Sequence, residues 1–197
     1  MKQYRLIKSL FTQIQEDWVA NHRDWTEPGF RAVAVHRFGF WAWERSEGLL
    51  RSSLLLLYRV LWRYIRNHYG IEIPHTTVIG RRFRIAHQSG IVIHPKTEIG
   101  DDCSIRQNVT IGAVTWERFN DAPKLGHRVD IGAGAVIIGK VTIGEGARIG
   151  PNAVVMTNVP AGATVFVEAP RMIQVQKTKG NGKLNSGVQQ VKETQSR

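Results

Sequence analysis

The chain reads as mainly β, a parallel β-helix of hexapeptide repeats with a small N-terminal α-helical region. Three observations predict this. Branched apolar residues recur every six positions through the middle of the chain, and a smaller or β-branched residue stands two places before most of them. Glycine follows many of the same residues. Upstream of residue 71 the apolar spacing is three and four, which is the period of helices.

Residues 1–70 form the helical region. From Leu50 the apolar positions Leu54, Leu57, Tyr58, Leu61 and Ile65 recur at helical spacing, with Arg51, Arg59, Arg63 and Arg66 in the gaps. This amphipathic helix stops near Tyr69-Gly70, because glycine accepts the left-handed conformation that commonly ends a helix. Pro28 and Gly29 separate an earlier helical stretch from a second one carrying Phe30, Val33, Phe38, Trp41 and Trp43. That stripe suits packing on the next domain or on another subunit, with a membrane surface as the alternative.

Residues 71–173 carry the repeat. The inward series runs Ile73, Ile79, Ile85, then Ile93, Ile99, Ile105, Ile111, then Leu125, Ile131, Ile137, Ile143, Ile149, Val155. Neither a helix nor a plain strand repeats by six; a short strand followed by a glycine-assisted corner does. Three such faces make a coil of about 18 residues, so the region supplies five to six coils, each buried only against its neighbours. The phase slips by two between Ile85 and Ile93, and the step from Ile111 to Leu125 is irregular, so a loop over 115–123 is expected to leave the coil there. Functional residues concentrate on loops held by a rigid scaffold. Beyond Pro170-Arg171 the pattern fades, and 174–197 reads as a mobile basic tail.

Composition limits what the chain can be. Its 197 residues, 42% apolar and 22% charged, suit one domain with a helical extension and exclude two large domains. A single cysteine, Cys103, permits no intrachain disulfide, and its place in the repeat is inward. The uncharged run Ser52–Tyr58 lies between Arg51 and Arg59, far short of the roughly 20 apolar residues a spanning helix needs. No secretory signal is evident, so a cytoplasmic protein is expected. The net charge of +11 is unevenly spread: 11 Lys/Arg against 6 Asp/Glu in 1–70, 11 against 9 in 71–173, and 5 against 1 in 174–197. Without a zinc-finger spacing or an aromatic RNA-binding motif, the excess reads as basic faces that attract anionic ligands or lipid headgroups rather than nucleic acid.

The array resembles the left-handed β-helix acyltransferases of the hexapeptide-repeat family, and its details look closest to serine acetyltransferase. The resemblance covers roughly residues 29–173. It rests on Gly29-Phe30-Arg31-Ala32 with Arg37, on Glu72-Ile73-Pro74 and on His87-Gln88-Ser89-Gly90. It continues through Ile99-Gly100-Asp101-Asp102, Gln107-Asn108-Val109-Thr110-Ile111-Gly112 and Ile131-Gly132-Ala133-Gly134-Ala135.

The resemblance implies acetyl transfer from acetyl-CoA to a hydroxyl, in a homotrimer or a dimer of trimers with sites between subunits. His87 matches the catalytic base, for which imidazole suits neutral pH, and Glu72 falls where the family has an aspartate that orients it. Backbone N–H groups at Gly112 and Ala113 are the oxyanion candidates. For the coenzyme the resemblance points to Gly132, Ala133, Gly150 and Ala153, with Arg148 and Arg171 near the phosphates. His75, His94 and His127 lack metal-like spacing, so no metal is expected.

The departures concern the acceptor. Ala86 stands where serine acetyltransferases carry an aspartate, and Asn120-Asp121-Ala122-Pro123-Lys124 replaces an Asp-Arg-His-Pro-Lys motif. With Asp121 in place of a cation and Ala122 in place of a polar partner, serine is expected to be a poor acceptor. The expected acceptor is then a sugar hydroxyl of a polysaccharide precursor. A genuine serine O-acetyltransferase of cysteine biosynthesis is the alternative, and a non-catalytic scaffold or membrane-surface assembly module, with peripheral membrane contact through the basic helical region, is a third. The chain ends Gln195-Ser196-Arg197 rather than in isoleucine, so no cysteine synthase complex is expected.

Overall fold

The structure is a computed structural model that describes residues 2–168; Arg171 and the expected tail, 174–197, lie outside the described residues. Three helices come first: α1 (Lys2–Ala20), α2 (Pro28–Trp43) and α3 (Leu49–Tyr69). Pro28 occupies the first turn of α2, where its missing N–H has no partner to lose. Gly70 ends α3 with φ 64°, its N–H donating to the Arg66 carbonyl at 3.1 Å.

The strands that follow are two or three residues long and stack in parallel on three faces of a left-handed β-helix of about five coils. Face A holds β1 (Ile71–Glu72), β4 (Ile91–Ile93), β7 (Thr110–Gly112), β10 (Val136–Ile138) and β13 (Val154–Val155). Face B holds β2 (Val78–Ile79), β5 (Glu98–Ile99), β8 (Lys124–Leu125) and β11 (Thr142–Ile143). Face C holds β3 (Arg84–Ala86), β6 (Ser104–Arg106), β9 (Asp130–Ile131), β12 (Arg148–Ile149) and β14 (Thr164–Val165).

The six-residue period has a direct physical meaning here. Ile93, Ile111, Ile137 and Val155 pair from coil to coil and form one buried column inside face A; the smaller Val109, Ala135 and Ala153 form a second. Each fully buried aliphatic side chain contributes roughly 1.5–3 kcal/mol by leaving water. Cys103 lies in the core, where burial pushes its thiol up to about 11 and keeps it protonated.

Register shows where the repeat is broken. Ile85 pairs with Ile105, Ile105 with Ile131, Ile131 with Ile149 and Ile149 with Val165, so successive coils are 20, 26, 18 and 16 residues long. The first excess is two residues at the C–A corner. The second is an eight-residue excursion at the A–B corner, within the 113–123 segment, rather than two further repeats and two residues. The short coil escapes the periodic reading because Asn158 replaces backbone: its Oδ1 accepts the Thr142 N–H at 2.8 Å and brings Val159 beside Ile143.

The open end of the first coil would leave a row of unpaired backbone groups. α1 and α2 cover it with buried polar side chains. Asp17 accepts the Phe83 N–H at 3.0 Å, and Asn21 donates to the Phe83 carbonyl and accepts from the Ile85 N–H. Arg37 binds Asp17 through Nε at 2.8 Å and donates to the Ile79 carbonyl at 2.6 Å and to that of Gly80. His36 donates from Nε2 to the Thr77 carbonyl at 2.9 Å, since a carbonyl can only accept and the proton must sit on that nitrogen.

Burial, with Arg37 adding repulsion, pushes the His36 imidazole down to about 3. Unfolded, it takes up a proton below about pH 6.5, whereas the folded chain stays neutral down to about 3. The unfolded state therefore binds more protons across that window, and stability falls as pH drops through it, by up to about 1.4 kcal/mol per pH unit from this group. Burial raises the Asp17 carboxyl, which opposes the trend at the acid end. Denaturant titrations across this window are expected to show the slope in the wild type and a smaller slope in His36→Gln, since His75 and His94 are also lowered by burial.

Candidate active site

The two-residue excess in the first coil is His87-Gln88. Ala86 pairs with Arg106, and the Asn108 N–H donates to the Ser89 carbonyl at 2.9 Å, so Ser89 matches Gln107 of the next coil and His87-Gln88 bulge between. His87 takes the left-handed conformation, φ 67°, and its side chain is exposed at the corner. α2 closes one side. A Cβ on Gly29 would stand 2.2 Å from the Ile85 carbonyl oxygen, so only glycine lets the helix start seat this closely on β3. The result is a cavity of about 110 Å³ lined by Glu27, Pro28, Gly29, Ile85, His87 and Gln88. Glu27, the residue capping α2, brings a carboxylate that the sequence reading missed; Pro28, marking the start of the helix, was the available signal.

Glu72 lies on face A with Ile71 and Ile73 buried on either side. It follows Gly70 by two residues, and Gly70 abuts the Ser89 backbone, so Glu72 and His87 flank the same corner. Among the described residues no hydrogen bond or ion pair joins the two side chains. Ala86 is half-buried at the end of β3.

The C–A corner repeats up the helix. Above Ser89 and Gln107 comes Ala133, whose carbonyl accepts the Asn152 N–H at 2.9 Å. Gly132, Ala133, Gly150 and Ala153 therefore lie along the edge that begins at His87, with coils spaced about 4.8 Å apart. At Gly132 a Cβ would come within 2.6 Å of the Pro151 nitrogen, so glycine is required there by the coil above, leaving only backbone for a ligand. Arg148 is exposed on face C beside this edge.

Gly112, Ala113, Asp121 and Ala122 stand elsewhere, at the A–B corner. A Cβ at Gly112 would meet open space, and the Ala113 N–H takes no backbone partner among the described residues. The excursion folds over His94, whose ring lies 4.3 Å from that of Phe119. The His94 Nδ1 accepts the Lys96 N–H, and its Nε2 is buried without a partner among the described residues. Burial, then the nearby Lys96 charge, lowers the His94 pKa.

Asp121, expected in place of a cation, accepts from Arg118 Nε at 2.7 Å, so a guanidinium stands on the loop three residues earlier. Arg118 was missed because it lies outside the five-residue motif.

A family model described as Bacterial transferase hexapeptide (six repeats) matches residues 122–157. The serine acetyltransferase of Mycobacterium tuberculosis is 41% identical over 138 residues, which are 70% of this chain and 57% of that one. That of Helicobacter pylori J99 is 36% identical over 160 residues, 79% of this chain and 89% of that one. The chain belongs to the serine acetyltransferase family. The chain spans little more than half the length of the M. tuberculosis member. Among solved members, soybean serine acetyltransferase complexed with serine superposes with a TM-score of 0.70 at 30% identity, covering 84% of this chain and 70% of that one.

Proposed function

We propose that this family member transfers acetyl from acetyl-CoA to the hydroxyl of serine. The observation that carries the acceptor is the family membership itself: the relatives are serine acetyltransferases, and one is complexed with serine. Arg118 stands on the same loop, but its guanidinium is paired with Asp121, so the pair offers an amino-acid carboxylate no net charge. Ala86 and Ala122 favour the second reading, a sugar hydroxyl, since neither side chain can pair with a charged amino or carboxyl group.

In this reading His87 is the general base. It removes the hydroxyl proton as the oxygen attacks the thioester carbonyl, then returns that proton to the departing thiolate. The Ala113 N–H is the donor for the charge that develops on the carbonyl oxygen, and Gly112, held in the ladder opposite Ile138, positions it. Glu72 and Glu27 flank the corner where His87 stands and place negative charge near the imidazolium that forms. The coenzyme lies along the C–A edge past Gly132, Ala133, Gly150 and Ala153, with Arg148 toward its phosphates.

His87 and the Ala113 N–H occupy opposite edges of face A, which suits a site completed between neighbouring copies in a homotrimer. Free thiol release from acetyl-CoA, measured with serine and with a panel of sugars and nucleotide sugars, tests the acceptor. Turnover with serine is expected. Turnover with sugars alone would reject serine, and release with neither would reject the activity.

A further inference from the structure

α3 shows a second, unpartnered face. It turns Tyr58, Ile65 and Tyr69 into the protein, yet Leu49, Leu56, Leu57, Val60 and Tyr64 are each at least 50% exposed. At the helical rotation of about 100° per residue these five fall in one stripe about 100° wide. Arg59 and Arg63 follow one border of the stripe; both are exposed and neither makes an ion pair among the described residues. The helix carries four arginines and no acidic residue.

We propose that this face of α3 docks on an anionic phospholipid surface. Charge decides the occupant. A second copy of α3 laid on the first would bring two arginine borders together with no carboxylate on either helix, whereas lipid phosphates pair with guanidinium groups. The length fits a helix lying flat: 21 residues extend about 31 Å. No described helix is long and apolar enough to cross a membrane, so the leucines enter only the headgroup boundary while the arginines stay among the phosphates.

Flotation of the full chain with vesicles tests this, comparing phosphatidylcholine alone with equal parts phosphatidylcholine and phosphatidylglycerol. Binding to the anionic vesicles is expected, with a loss of about tenfold or more in Arg59→Gln/Arg63→Gln, since each juxtaposed arginine contributes about 1 kcal/mol. Leu57→Glu/Val60→Glu is expected to abolish flotation without changing the subunit count in sedimentation. Equal binding to neutral vesicles, or no flotation at all, overturns the proposal. So does a changed subunit count in the Leu57→Glu/Val60→Glu chain, which would make the face a contact between copies.

Discussion

His87→Ala is expected to lower kcat by at least about 10², with the affinity for acetyl-CoA nearly unchanged, because a positioned general base contributes about 10² to 10⁴ in rate. The selectivity follows from placement. His87 lies on the bulge at the C–A corner, with its side chain outside the core, so its removal leaves every buried column intact. A scaffold role predicts no change in turnover; a purely structural histidine predicts a lower melting temperature. Steady-state kinetics and a thermal melt of the same preparation separate the three. Comparable turnover in the mutant would reject the assignment.

Arg37→Ala is expected to destabilise the fold by about 3–5 kcal/mol, the loss typical when one member of a buried pair is removed and its partner stays. Asp17 is fully buried and Arg37 nearly so, and the guanidinium also holds two edge carbonyls of the first coil. A surface control sharpens the comparison. Arg81 pairs with Glu16 but is half-exposed, so Arg81→Ala should cost no more than about 1 kcal/mol. Denaturant unfolding of both variants checks the difference; similar small losses would show that the helices do not secure the open end of the coil.

Much of the fold is legible because a six-residue period has few physical meanings. The inward columns follow from Ile, Val and Ala spacing alone, and the slip after Ile85 marks the bulge that presents His87. The buried layer of Asp17, Asn21 and His36 does not follow from it. Periodicity reports which side chains turn inward, not which backbone groups at the end of a coil lack partners; polar residues at helical spacing, Asp17 with Asn21, were the only trace. Which apolar side chains of α3 turn inward is not legible for a related reason: Leu57 and Leu61 share spacing with Tyr58 and Ile65, but the helix touches the protein along one side only. On the loop, Asp121 reads differently once Arg118 is seen beside it, a contact that motif alignment cannot reveal.

The proposed site is split between the two edges of face A, and pairing of two crippled chains tests that division most directly. His87→Ala disables the C–A edge, and Ala113→Pro removes the N–H offered at the A–B edge without altering the core. Each variant alone is expected to be inactive. Co-expressed chains should regain measurable acetyl transfer, because some neighbouring pairs then present one intact edge each. Mixed assemblies that form normally yet stay inactive would contradict a site made from two copies and return the chemistry to a single edge.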